Sequence, residues 1–181
     1  SHPIRRQPRN PTTPPSGWPN SYSQGYYIPN DNPWQSPDGS RLEEFYAVGL
    51  RSPHRMTQDP VTGDIWVGDV GQGTQEEVSK IVRGGNYQWP YREGSVAGPK
   101  AKPSPLIGFD VPPVHAYGRS TGGCVIGGYV YRGALHPELV GKYIFGDHNT
   151  GRVWSLDDSG STPVVTSLLT LSSHGPGPKN G

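Results

Sequence analysis

Few side chains in this sequence sit at a spacing that performs chemistry by itself. His54, His115, His136, His148 and His174 are scattered, without the short intervals that bring imidazoles onto one metal ion. Cys124 is the lone cysteine, so it has no CxxC partner for zinc or haem and no partner for an internal disulfide. In its Gly-rich apolar run it reads as a small core residue. No GxSxG elbow, no P-loop and no dinucleotide-type glycine fingerprint occurs. Sixteen Lys and Arg against fifteen Asp and Glu leave no basic field for a phosphate backbone, which argues against a nucleic-acid partner. Arg5, Arg6 and Arg9 read as solvated charges on a loop or linker. Arg51 is the more telling cation. A guanidinium offers fixed, always-charged donors that suit a carboxylate or a developing oxyanion, and they suit the carbonyls or carboxylate of a neighbouring element equally well.

The elements that position such residues are short strands. The chain holds 26 glycines and 21 prolines, about a quarter of its residues, which by itself raises disorder as a reading. Five Trp, ten Tyr and three Phe set among Val/Ile runs argue against it along most of the length. Residues 1–25 are the exception, a Pro-punctuated stretch expected to be irregular. Strands are expected at 65–70, 76–82, 122–132, 142–147, 151–156 and 164–169, with a Gly/Pro-rich loop over about 92–113. No amphipathic helix is evident, and no apolar run is long enough to span a bilayer. No signal peptide is visible. Gly63-Asp64-Ile65-Trp66-Val67-Gly68-Asp69 and Gly141-Lys142-Tyr143-Ile144-Phe145-Gly146-Asp147 look alike. Their offset is near two periods of a ~40–45-residue propeller blade. The expected class is all-β, with short sheets repeated radially.

Several segments carry a family resemblance. Residues 46–55, Tyr46-Ala47-Val48-Gly49-Leu50-Arg51-Ser52-Pro53-His54-Arg55, resemble the YGLRNPxR signature of the glucose/sorbosone dehydrogenase family. In the family's order follow 59–72 (DPVTGDIWVGDVGQ), Glu76-Glu77, 84–89 (GGNYQW), 127–133 (GGYVYRG) and 141–147 (GKYIFGD). Residues 26–34 (YYIPNDNPW) are similar to its IPxDNPF loop. The resemblance covers about 26–156 and implies a six-bladed β-propeller. Such a propeller needs well over ~200 residues. The chain is therefore expected to be the C-terminal part, 26–181, holding about half to two-thirds of the blades.

The resemblance implies oxidation of sugars or related alcohols by pyrroloquinoline quinone (PQQ) over a calcium ion, with the catalytic base outside this chain. Arg51 matches the arginine that contacts the quinone; an arginine that ties adjacent blades through carbonyls or a carboxylate is the other reading. Ser52 stands where the quinone enzymes carry Asn, and His54 where they carry Gln. Arg132 falls near a position where some place a lysine against the quinone; a surface or inter-blade arginine is the other reading. Gly71 and Gln72 match positions whose backbone carbonyls hold calcium, a hard cation that takes oxygen ligands; a plain tight turn is the alternative. Asp69 ligates metal or caps the turn. The implied partners are the remainder of the propeller, the substrate and a cytochrome or other electron acceptor, in the periplasm or outside the cell. The VGDVGQ (67–72) and GGYVYRG (127–133) forms also resemble hedgehog-interacting-protein-like propellers, which bind partners and need not oxidise anything, so a protein- or carbohydrate-binding role and a structural role in an assembly stand beside the enzyme.

Overall fold

Alternating apolar positions between turns set the strands. The computed structural model describes residues 28–36 and 42–171. The expected irregular stretch 1–25 and His174 lie outside them. The strands, in chain order, are β1 (Pro53–Gln58), β2 (Ile65–Asp69), β3 (Gln75–Ile81), β4 (Gly85–Asn86), β5 (Arg92–Glu93), β6 (Val96–Ala97), β7 (Phe109–Asp110), β8 (His115–Gly118), β9 (Val125–Val130), β10 (Tyr143–Asp147), β11 (Arg152–Asp157) and β12 (Val164–Thr170). Among the described residues there is no α-helix, only a 3₁₀ turn at Pro137–Leu139, and no helix long and apolar enough to cross a membrane.

Two four-stranded antiparallel sheets result. The first runs β1-β2-β3-β8 and the second β9-β10-β11-β12. Between β3 and β8 the chain makes a long excursion holding two small ribbons, β4 with β7 and β5 with β6. That excursion corrects the repeat spacing. β2 and β10, the two look-alike segments, are second strands of successive sheets, one blade apart rather than two. Among the described residues two four-stranded sheets form, and the excursion takes much of the chain that a count at ~40–45 residues per blade would give to a further blade.

The period of two divides each strand between two cores. Trp66, Val78 and Tyr117 of the first sheet meet Val125, Tyr143, Phe145, Trp154 and Leu156 of the second. Trp66 stacks on Tyr143 with ring centroids 4.6 Å apart. Val67 and Ile81 face the other way, where Tyr87 of the excursion, Ala47 and Leu50 cover them. The Tyr87 hydroxyl accepts the Val82 N–H at 2.9 Å and donates to the Lys80 carbonyl, hooking the excursion to β3.

Polar bridges tie the sheets together. The Thr57 hydroxyl donates to the Gly128 carbonyl at 2.6 Å. Glu76, fully buried, accepts the Val125 N–H at 2.9 Å and pairs through its other oxygen with Arg119. Lys80 pairs with Asp158 at 2.6 Å. The Tyr117 hydroxyl donates to Asp147 at 3.0 Å. Tyr117→Phe is expected to cost about 1 kcal/mol, the net worth of one hydrogen bond, because Asp147 keeps its backbone donors. An unchanged urea midpoint contradicts this.

Besides the four short strands of the excursion, two strands of the four-stranded sheets escaped the sequence. β1 (PHRMTQ) begins with proline, is exposed at five of six positions and carries a bulge at Arg55, whose φ is 62°. It shows no alternation because it is an edge strand. β8 is only four residues long. Strands β1 and β9 lie against each other. A Cβ at Gly127 would stand 2.3 Å from the Arg55 carbonyl oxygen, so this approach requires glycine.

Candidate cofactor site at the head of the first sheet

The segment leading into β1 is fixed from both sides. The Val48 N–H donates to Gly85 at 3.0 Å, Tyr87 N–H donates back to Val48 at 2.9 Å, and Trp89 N–H donates to Gly49 at 2.8 Å. Gly49 has φ 84°, and a Cβ there would sit 2.4 Å from the Asn86 side-chain oxygen. Only glycine takes this bend cheaply. Two residues later the backbone N–H groups of Arg51 and Ser52 donate to the two oxygens of Asp69, at 2.9 and 2.6 Å. Arg51 Nη1 donates to the carbonyls of Val70 and Gly71 at 2.9 and 3.0 Å. Its guanidinium carbon lies 5.2 Å from the centroid of Trp89, a cation–π contact. Among the described residues, Nε and Nη2 make no hydrogen bond.

His54 is exposed on β1, opposite Gly68. Gly71 is buried in the turn after β2, and Gln72 beside it is exposed. Arg132 lies elsewhere. It follows β9 at the opposite end of the inner strands and forms a two-point ion pair with Asp59, just after β1. Its guanidinium holds the Asp59 carboxyl far below the usual range. The inter-blade reading of Arg132 is the contact observed, about one strand length, roughly 20 Å, from the Arg51 end. His54 and Arg132 both border an open cleft of about 700 Å³ along the second sheet.

Around the Gly71–Gln72 turn sit four buried carboxylates: Asp69, Glu76 and Glu77, which the sequence offered as a ligand or cap and as a motif pair, and Glu93, which it did not single out. Glu93 of the excursion accepts the N–H groups of Gly73, Thr74 and Gln75 at 2.8, 2.7 and 3.1 Å. Burial pushes its carboxyl up, but these amides win and hold it at about 2. Glu77 accepts the Gly94 N–H in return, and the Gln75 side chain accepts the Ser95 N–H at 2.6 Å. Turn and excursion thus clasp each other. Burial, with Asp69, Glu93 and Glu76 nearby, raises Glu77 to about 7. Burial also raises Asp69, against its two backbone donors. His115 is half-buried against Tyr117 and Phe145, and burial pushes its pKa down. It packs in the core.

These placements test the implied cofactors. Arg51 suits an anionic or quinonoid oxygen: Nη1 is anchored, and among the described residues the N–H donors of two nitrogens, Nε and Nη2, are left over. Calcium does not fit the Gly71 carbonyl as it stands. Calcium binds oxygen at 2.3–2.6 Å, and here that oxygen already accepts a permanent cation at 3.0 Å. Charge repulsion over so short a distance costs several kcal/mol even with surface screening. Among the described residues no three His, Cys, Asp or Glu side chains are grouped to hold a metal.

Residues 23–175 match the family model described as Glucose / Sorbosone dehydrogenase. The chain belongs to this family. Over 144 residues it is 35% identical to the HIPL1 protein of Arabidopsis thaliana, covering 72% of this chain and 20% of that protein. A 63-residue stretch is 36% identical to the quinoprotein glucose dehydrogenase B of Acinetobacter calcoaceticus, covering 35% and 12%. The structure superposes on a solved glucose dehydrogenase with a TM-score of 0.64 and 28% identity, over 79% of this chain and 41% of that one. The chain thus spans a fifth of HIPL1 and about two fifths of the solved glucose dehydrogenase, and its two sheets are blades of part of the family propeller.

Proposed function

We propose that the chain is the C-terminal part of a propeller that oxidises sugars or related alcohols with PQQ, in the periplasm or outside the cell, and passes electrons to a cytochrome or other acceptor. The observation that carries this reading is Arg51, anchored by Nη1 and Trp89, with its Nε and Nη2 nitrogens unused among the described residues. A quinone held there supplies a two-electron acceptor for the alcohol carbon. Arg51 would bind and orient it through Nε and Nη2, and the fixed guanidinium favours negative charge on the oxygen it faces. Ser52 lends less than an amide side chain would, because one hydroxyl replaces an amide's two-ended contact. His54, exposed on β1, would complete this end of the site. Calcium enters only by resemblance through Gly71 and Gln72, and no step here runs through it. The base that takes the hydroxyl proton is expected outside this chain.

A second reading is a propeller that binds a protein or carbohydrate partner without oxidising it. The commitment of Arg132 to Asp59 favours it, as does the 35% identity to HIPL1 across most of the chain. Titration of the full-length protein with PQQ, followed by absorbance and then by addition of aldoses, separates the two. The enzyme reading expects saturable binding, reduction by sugar, and at least about tenfold weaker binding in Arg51→Ala, the equivalent of 1.4 kcal/mol. A folded protein that binds no quinone leaves the partner-binding propeller.

A further inference from the structure

The Gly-Asp that ends the second strand recurs in both blades, and so does what it holds. Asp69 lies opposite Pro53, the first residue of β1, and its carboxylate accepts the N–H groups of the two residues before it, Arg51 and Ser52. Asp147 lies opposite Val125, the first residue of β9, and accepts the N–H groups of the two residues before it, Gly123 and Cys124, at 2.8 and 2.9 Å. Both aspartates are 3% exposed, so neither bond is an accident of the surface. In both blades one buried carboxylate satisfies two successive backbone donors where the chain enters the first strand of the sheet, Asp69 with one oxygen for each donor and Asp147 with Oδ2 for both.

In the second blade the clamp presents a glycine and a cysteine. In the first it presents Arg51. We propose that Asp69 is the positioning residue for Arg51: by fixing the backbone at 51 and 52 it sets where the guanidinium lies over Trp89 and against the Val70 and Gly71 carbonyls. Asp69 touches only the backbone of Arg51, so it acts through placement and not through contact with a ligand. No other carboxylate among the described residues bonds to the backbone at 51 or 52. Asparagine offers one accepting oxygen and turns an N–H₂ donor toward the second backbone N–H, so Asp69→Asn releases one of the two donors without changing side-chain size. The contribution of Asp69 to cofactor binding rests on the quinone reading; its hold on Arg51 does not.

Trp89 gives a cofactor-free readout. The full-length protein is labelled with 5-fluorotryptophan and its Trp89 fluorine resonance assigned by Trp89→Phe. Arg51→Ala is expected to shift that resonance, and Asp69→Asn to shift it in the same direction, while the core residues Trp66 and Trp154 hold their resonances. Asp147→Ala, which removes the acceptor of the other blade's clamp, is expected to leave Trp89 in place. Where the wild type binds PQQ, Asp69→Asn is expected to weaken it to within a few-fold of Arg51→Ala. A Trp89 resonance that stays put in Asp69→Asn while Arg51→Ala moves it overturns the proposal. So does quinone binding unaffected by Asp69→Asn and abolished by Arg51→Ala. A wild type that binds no quinone overturns the functional reading alone, and the fluorine shifts still decide the role of Asp69. If Asp69→Asn loses the Trp66 and Trp154 resonances, Asp69→Glu, which keeps both accepting oxygens one methylene further out, takes its place with the same expected shift of Trp89.

Discussion

In urea titrations Arg119→Ala is expected to lose about 3–5 kcal/mol, more than Glu76→Ala, although both delete the same ion pair. The asymmetry follows from burial. The Glu76 side chain is 0% exposed and that of Arg119 34%. Removing the arginine leaves a carboxylate sealed between two blades with the Val125 N–H as its remaining partner, and stranding one member of a buried pair costs about that much. Removing the glutamate strands Val125 N–H and frees an arginine that already reaches water and still donates to the Gly123 carbonyl at 2.9 Å. The expected loss is on the order of 2–3 kcal/mol, one unsatisfied backbone donor plus part of the pair. Equal losses in the two variants contradict this account of the blade interface.

The same pair shows what sequence could convey. Strands β2, β10 and β11 were legible because apolar residues alternate in them between glycine and aspartate turns, and the all-β class followed. Arg51 was legible through its motif, but its bonds to turn carbonyls run within its own sheet and not between adjacent blades. The burial of the carboxylates was not legible. Charged residues are buried only when partnered, and the partners of Glu77 and Glu93 are backbone N–H groups, which every residue but proline carries and which leave no trace in residue type. The Arg132–Asp59 pair joins two turns of different blades, a separation that a local pattern does not span. The blade offset was misjudged for a related reason. The excursion between β3 and β8 is folded, pinned by Tyr87 and Glu93, but its Gly/Pro composition reads only as loop.

Glu77→Gln is expected to stabilise the protein at pH 8 and to flatten its pH profile. Glu77 lies opposite Asp69 on β2, beside Glu76 on its own strand and near Glu93 of β5. Its pKa is raised from 4.5 to about 7, first by burial and then by these three carboxylates, with the Gly94 N–H pulling the other way. A carboxyl raised in the folded state keeps its proton there while the unfolded chain has already lost one. Stability therefore falls as pH rises from about 4.5 to about 7 and stays lowered above that. At 1.36 kcal/mol per pKa unit the deficit at pH 8 is on the order of 3 kcal/mol. Glutamine keeps an oxygen for the Gly94 N–H and has no charge to bury. The variant is expected to gain most of that deficit at pH 8 and almost nothing at pH 4, measured as urea midpoints across the range. The Glu93–turn side of the clasp is expected to hold throughout, because Glu93 is charged down to about pH 2. A variant that loses stability at pH 8 would mean that the charged form of Glu77 is the one the clasp needs. The hydrogen bond to Gly94 would then outweigh the desolvation and the three like charges around it, and the excursion would be held by two ionised carboxylates rather than one.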